Sequence, residues 1–154
     1  MNVTIITLGK LKESCFKEAS TEYEKRLSAY CKLKVIELVP VKLSQNPSEA
    51  EVKAALIREA ELISRSTPKS FKVALCSEGE RLTSEQFAKL LLKAGADLSF
   101  VTGSSGGLAE SVKNSADMKL SLSDMTLPYQ LARIVLTEQL YRAFSINNNG
   151  KYHK

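Results

Sequence analysis

The stretch Leu98–Phe144, LSFVTGSSGGLAESVKNSADMKLSLSDMTLPYQLARIVLTEQLYRAF, carries the pattern that decides the fold. Leu98 to Thr102 is a short apolar run that reads as a strand. It ends on a glycine-rich turn, Thr102-Gly103-Ser104-Ser105-Gly106-Gly107-Leu108. The spacing then predicts a helix from about Leu108 to Asn114, a strand at Met118 to Leu122, and a long helix from Pro128 to about Phe144. Proline suits a first helical turn, because its φ is already helical and its missing N–H has no partner there anyway. Strands separated by helices call for parallel pairing, since the chain must return to the same end of the sheet before each new strand.

The same alternation extends outward to the N-terminus. Asn2–Leu8 (NVTIITL) is a β-branched run stopped by Gly9, and Phe16, Ala19, Tyr23 and Leu27 recur at helical spacing between Lys12 and Ala29. Lys34–Val39 stops at Pro40, and Ser48-x-x-Glu51 has the form of a capping box opening a helix to about Ser64. Phe71–Cys76 reads as a third strand, followed by a turn at Gly79 and a helix from Thr83 or Ser84 to Lys93. The expected fold class is α/β: a mainly parallel sheet covered by helices on both faces, in one domain spanning residues 1–154. The segment Pro40–Pro47 and the tail from Asn147, with its three consecutive Asn before Gly150, read as unpacked.

Composition narrows the function classes. Twenty-two Lys and Arg against 17 Asp and Glu give a net charge of +5, a modest tilt toward phosphate-bearing partners. No segment approaches the roughly 18 apolar residues of a membrane span, and no basic leader precedes the first strand, so a cytoplasmic protein without membrane contact is expected. Cys15, Cys31 and Cys76 lack C-x-x-C spacing and His153 is the sole histidine, so no metal site is expected.

A glycine turn after a parallel strand lets backbone N–H groups approach a ligand with no Cβ in the way. Its Gly-x-x-Gly-Gly spacing lacks the G-x-G-x-x-G fingerprint and the Gly-Lys-Ser/Thr ending of a P-loop. Thr102, Gly103 and Gly107 partly match the T-G-x-x-x-G of short-chain dehydrogenases, but that turn follows the first strand, and here Tyr129 is followed four residues on by Arg133 instead of Lys. A plain loop needing positive φ remains an alternative.

Between Leu120 and Leu127 the chain is too apolar for a solvent loop and too interrupted for a strand. Leu122, Met125 and Leu127 can wall a flat heteroaromatic group, or they can plug the sheet edge. In the helix that follows, Leu131, Ile134, Val135, Leu136, Leu140, Ala143 and Phe144 leave almost no solvated face, which makes a homodimer interface the natural second cover. Glu138 and Arg142 stand in the favourable i, i+4 order, with Arg133 just over one turn before Glu138. These charges either neutralise one another or hold an arginine ready for phosphate.

Taken together, the opening VTIITLGKLKE, the Tyr23-Glu24-Lys25-Arg26-Leu27 helix, Phe100-Val101-Thr102-Gly103, LSDMTLPYQLARIVLTEQLYRAF and the final Tyr-His-Lys resemble the SPOUT-class RlmH methyltransferases, which modify a pseudouridine in bacterial large-subunit rRNA. The resemblance covers the whole chain. It implies a trefoil knot over roughly residues 71–154 and S-adenosylmethionine bound by Leu75, Gly103 and the run Leu122, Ser123, Asp124, Met125, Thr126 and Leu127. It also implies methyl transfer to N3 of a pseudouridine in 23S rRNA, with His153 easing proton loss, Tyr152 shaping the pocket, and Arg142 or Arg133 anchoring phosphate or the partner subunit. With no added RNA-binding domain, a folded ribosomal surface is the expected substrate. Two positions depart from the family: Ser104 stands where Gly is usual, and Tyr129 where His is usual. The rival readings are a nicotinamide-dependent oxidoreductase built on Gly103–Gly107 and a non-catalytic ribosome-binding module.

Overall fold

The computed structural model describes residues 1–154. In chain order the elements are β1 (Asn2–Leu8), α1 (Ser14–Leu27), β2 (Lys32–Leu38), α2 (Glu49–Ser66), β3 (Phe71–Arg81), α3 (Ser84–Lys93), β4 (Asp97–Thr102), α4 (Glu110–Asn114), β5 (Met118–Ser121) and α5 (Tyr129–Asn147). The five strands form one wholly parallel sheet in the order β2-β1-β4-β3-β5.

Alternation along the strands builds two cores, because successive side chains point to opposite faces. Val3, Ile5, Val73, Leu98 and Phe100 pack against Leu27 of α1, Phe87 and Leu91 of α3, and Leu136 and Leu140 of α5. On the other face Ile6, Leu8, Ala74 and Val101 meet Ile63 of α2 and Val112 of α4. Each such fully buried side chain stabilises the fold by about 1.5–3 kcal/mol. Capping boxes hold the first turns of α2 and α3: Ser48 with Glu51, and Thr83 with Gln86. A cap of this kind contributes about 1 kcal/mol.

The structure departs from the expected pattern in two places that matter for the site. Gly79 is no turn: β3 continues to Arg81, and after a register shift Glu80 and Arg81 pair with Leu120 and Ser121 of β5. Gly79 lies so close to that strand that a Cβ there would sit 2.5 Å from the Leu120 carbonyl carbon and 2.6 Å from its nitrogen. The tail, expected to be unpacked, folds back. Asn149 adopts φ 54°, the Gly150 N–H donates to the Ser145 carbonyl at 2.7 Å, and the Asn149 N–H donates to Ile146 at 3.0 Å. That pair of bonds is a Schellman ending, which reverses the chain beyond the helix. Tyr152 consequently meets Tyr141 edge-on, ring centroids 4.7 Å apart.

Candidate active site

In a parallel sheet the loops leaving the carboxyl ends of the strands share one rim, where ligands usually bind. Here Leu75 of β3 is in register with Thr102 of β4 and also with Leu120 of β5. The three candidate cofactor segments, Leu75, Gly103 and Leu122–Leu127, therefore lie at the same end of three adjacent strands, although β3 runs on past Leu75 to Arg81. Strand order brings them together across about fifty residues of sequence.

The glycine turn is tight. A Cβ on Gly103 would collide with the Gly107 carbonyl, Gly107 has φ +83°, and the Gly107 N–H donates to the Ser104 carbonyl at 2.9 Å. Thr102, just before the turn, is 4% exposed and its hydroxyl has no hydrogen-bond partner; the same holds for Thr7, its neighbour in register on β1. Ser104 gives its hydroxyl to Glu59 at 3.1 Å. Tyr129, the other departure from the family pattern, donates to the Lys10 carbonyl at 3.1 Å with its ring lying against Gly9, which ties the start of α5 to the loop after β1.

The loop after β5 is shaped by its own hydroxyls. Ser121 donates to the Ser123 carbonyl at 3.0 Å, and the Met125 N–H donates to the Ser123 hydroxyl at 2.9 Å. Asp124 pairs with Arg81 at 2.5 Å, both largely exposed, so the pair contributes little. Met125 is 80% exposed, and Leu122 and Leu127 are half-buried. The loop's apolar side chains do not all plug the sheet edge; Met125 projects into solvent.

Beside Leu122 a cleft of about 300 Å³ opens between Thr83 and Ser84 at the start of α3, Leu120–Leu122, and Val135 and Gln139 of α5. Ser84 donates across it to Gln139 at 2.7 Å. Of the candidate cofactor residues only Leu122 lines this cleft; Leu75 and Gly103 lie outside it.

The tail forms a second cluster. Glu138 accepts from Arg142 at 2.7 and 3.1 Å and from the Tyr152 hydroxyl at 3.1 Å, and the Arg142 guanidinium stacks 4.7 Å from the centre of the Tyr152 ring. His153 places Nε2 2.8 Å from Glu85 and Nδ1 3.4 Å from Arg142. With Nδ1 facing a guanidinium, Nε2 carries the proton donated to Glu85. Burial, aided by hydrogen bonds to Tyr23 and Glu138, pushes the Tyr152 phenol up to about 12. The Glu85 carboxyl is held down at about 2, first by its own backbone N–H, then by Thr83 and His153. Glu85 stands next to Ser84 of the cleft, so tail and cleft adjoin.

Arg133 is not free to meet a phosphate. It is 5% exposed, bonded to Glu37 of β2 at 2.6 Å and 3.6 Å from Glu24 of α1, and its Nε has no partner. The i, i+4 spacing announced the Glu138–Arg142 pair, but nothing local announced Glu85, Ser84 and Gln139.

Over residues 1–153 the chain matches the family model described as predicted SPOUT methyltransferase. The chain belongs to the SPOUT methyltransferase family. Relatives called ribosomal RNA large subunit methyltransferase H, from Leuconostoc mesenteroides and Clostridium perfringens, are 41% and 45% identical, with both chains covered completely. Among solved structures, a probable methylase family protein from Haemophilus influenzae superposes with TM-score 0.58 at 16% identity, covering 99% of this chain and 70% of that one. A tRNA (m1G37) methyltransferase from Aquifex aeolicus gives 0.56 at 16%, covering 92% and 70%. The SPOUT fold includes the C-terminal trefoil knot expected above, an exception to the rule that chains do not thread their own loops. The nicotinamide reading of the glycine turn falls with this full-length family match.

Proposed function

We propose that this chain transfers a methyl group to N3 of a pseudouridine in 23S rRNA, working on the assembled ribosome as a cytoplasmic homodimer. The observation that carries the reading is its 41–45% identity, over the full length of both chains, to large-subunit rRNA methyltransferases. SPOUT methyltransferases use S-adenosylmethionine, and this chain takes the same cofactor.

The residues present fit that group. The Gly103 cradle has no room for a Cβ, Thr102 holds a buried hydroxyl without a partner, and Met125 with Leu122 and Leu127 offers apolar surface beside open backbone. Leu75, Gly103 and Leu122–Leu127 would hold the cofactor, which supplies an electrophilic methyl on a sulfonium. The chain's own contribution is alignment and proton removal. His153, its Nε2 held 2.8 Å from Glu85, eases loss of the N3 proton. Tyr152, kept protonated, shapes the pocket wall. Arg142, held by Glu138 and with its remaining nitrogen toward His153, anchors the substrate phosphate beside that ring. The half-buried Leu131, Ile134 and Val135 of α5 give the partner subunit its contact surface.

Two measurements test this. Calorimetry should show binding of S-adenosylhomocysteine and none of NAD. Mass spectrometry of 23S rRNA should find N3-methylated pseudouridine after incubation with ribosomes and cofactor, but not with a naked transcript. Cofactor binding without methyl transfer to any ribosomal substrate would leave the ribosome-binding module as the better description.

A further inference from the structure

We infer that Glu59 is a positioning residue that latches the glycine turn from behind, through Ser104, and ties it to the loop between β2 and α2. The inference rests on the cofactor reading of the turn given above.

Glu59 sits on α2, on the face opposite α5, and is 3% exposed. A carboxylate removed from water is costly unless its oxygens find donors. Here each oxygen has one: Oε1 accepts from the Val41 N–H at 3.0 Å, and Oε2 accepts from the Ser104 hydroxyl at 3.1 Å. No lysine or arginine pairs with it, and both of its bonds go to connecting segments, a loop and a turn. The bond to Ser104 is the one side-chain hydrogen bond reaching residues 103–107. Inside the turn Ser104 and Gly107 pair as an isolated antiparallel bridge, the Gly107 N–H donating to the Ser104 carbonyl. Gly106 lies alongside α2: a Cβ placed there would be 3.8 Å from Leu56 and 4.0 Å from Val52.

The consequence concerns where the turn sits when no ligand is present. Three glycines in five residues leave the turn free to sample many backbone states, and ordering them on binding costs affinity. A charge-assisted bond from a rigid helix removes part of that cost beforehand. Glu59 then sets cofactor affinity without touching cofactor or RNA.

The test compares Ser104→Ala, Glu59→Gln and Glu59→Leu with the unaltered chain. Amide hydrogen exchange on the free proteins is read at Ser105–Leu108, alongside calorimetric binding of S-adenosylhomocysteine and the thermal midpoint. Ser104→Ala should accelerate exchange across the turn and weaken binding about tenfold, with kcat at saturating cofactor nearly unchanged. Glu59→Gln should leave exchange and binding close to those of the unaltered chain, because its amide can accept from Val41 and donate to Ser104. Glu59→Leu should lose both bonds and protect neither segment; if it does not fold, Ser104→Ala decides alone. Unchanged exchange and binding in Ser104→Ala would overturn the latch, as would a loss in Glu59→Gln equal to that in Ser104→Ala. If the unaltered chain itself fails to bind S-adenosylhomocysteine, the cofactor reading fails, and the exchange data still judge the latch.

Discussion

Replacing Gly79 by Ala probes the close crossing of β3 against β5, next to the strand end that leads into the Leu122–Leu127 loop. The added methyl would lie 2.5 Å from the Leu120 carbonyl carbon, 2.6 Å from the Leu120 nitrogen and 2.7 Å from the Ser121 nitrogen, all backbone atoms of β5. Relief requires a shift of roughly 1 Å in a strand already paired with β3, where overpacking costs about 1–3 kcal/mol. The displaced ladder bonds at Glu80 and Leu120 add about 1 kcal/mol each. The expected loss is therefore about 3–5 kcal/mol, or about 10–15 °C in thermal midpoint for a domain of this size. Gly95→Ala supplies the control: Gly95 has φ +81° and nothing within 4 Å of its Cβ position, so Ala there suffers only the left-handed backbone cost of about 1 kcal/mol. Urea denaturation followed by circular dichroism should rank the losses Gly79→Ala well above Gly95→Ala. A Gly79→Ala protein no less stable than Gly95→Ala would refute the steric account of the crossing.

Gly103→Ala should weaken S-adenosylhomocysteine binding at least tenfold, about 1.4 kcal/mol by calorimetry, because its methyl would occupy the position of the Gly107 carbonyl. Glu78 is held down at about 2, first by hydrogen bonding to Lys113, which links the end of β3 to α4. A carboxyl depressed in the folded state stabilises above its ordinary value of about 4.3 and loses that contribution as pH falls toward 2. Glu78 is 48% exposed, so the effect is about 0.5–1 kcal/mol; the stability gap between the unaltered chain and Lys113→Met should close between pH 5 and about pH 2 in urea titrations. Burial pushes the Cys31 thiol up to about 11, while Cys15 is exposed. A thiol reagent at neutral pH should modify Cys15 rapidly and reach Cys31 only in denaturant, as peptide mass spectrometry will read.

Local chemistry made the elements legible. Ser48 with Glu51 and Thr83 with Gln86 marked two helix starts because a capping box is satisfied within four residues. The polar end of β3, Ser-Glu-Gly-Glu-Arg, looked like a turn because its strand character comes entirely from β5, forty residues on. The tail looked unpacked for a related reason: Asn149 and Gly150 resemble loop residues until Ser145 and Ile146 supply the carbonyls that make them a helix ending. Glu85 could not be linked to His153, nor Glu59 to Ser104, because 68 and 45 residues separate the partners.

By itself the sequence determined the alternation of strands and helices and the parallel sheet they call for, because periodicity, caps and glycine spacing act over a few residues; the SPOUT reading rested on the resemblance of the glycine turn, the apolar loop with its helix and the Tyr-His-Lys tail to that family. Tertiary structure alone decided which carboxylates hold Ser104, Arg133 and His153, and that Gly79 is a crossing point. Those outcomes depend on strand order and chain reversal, which place in contact groups whose separation along the chain carries no local signal.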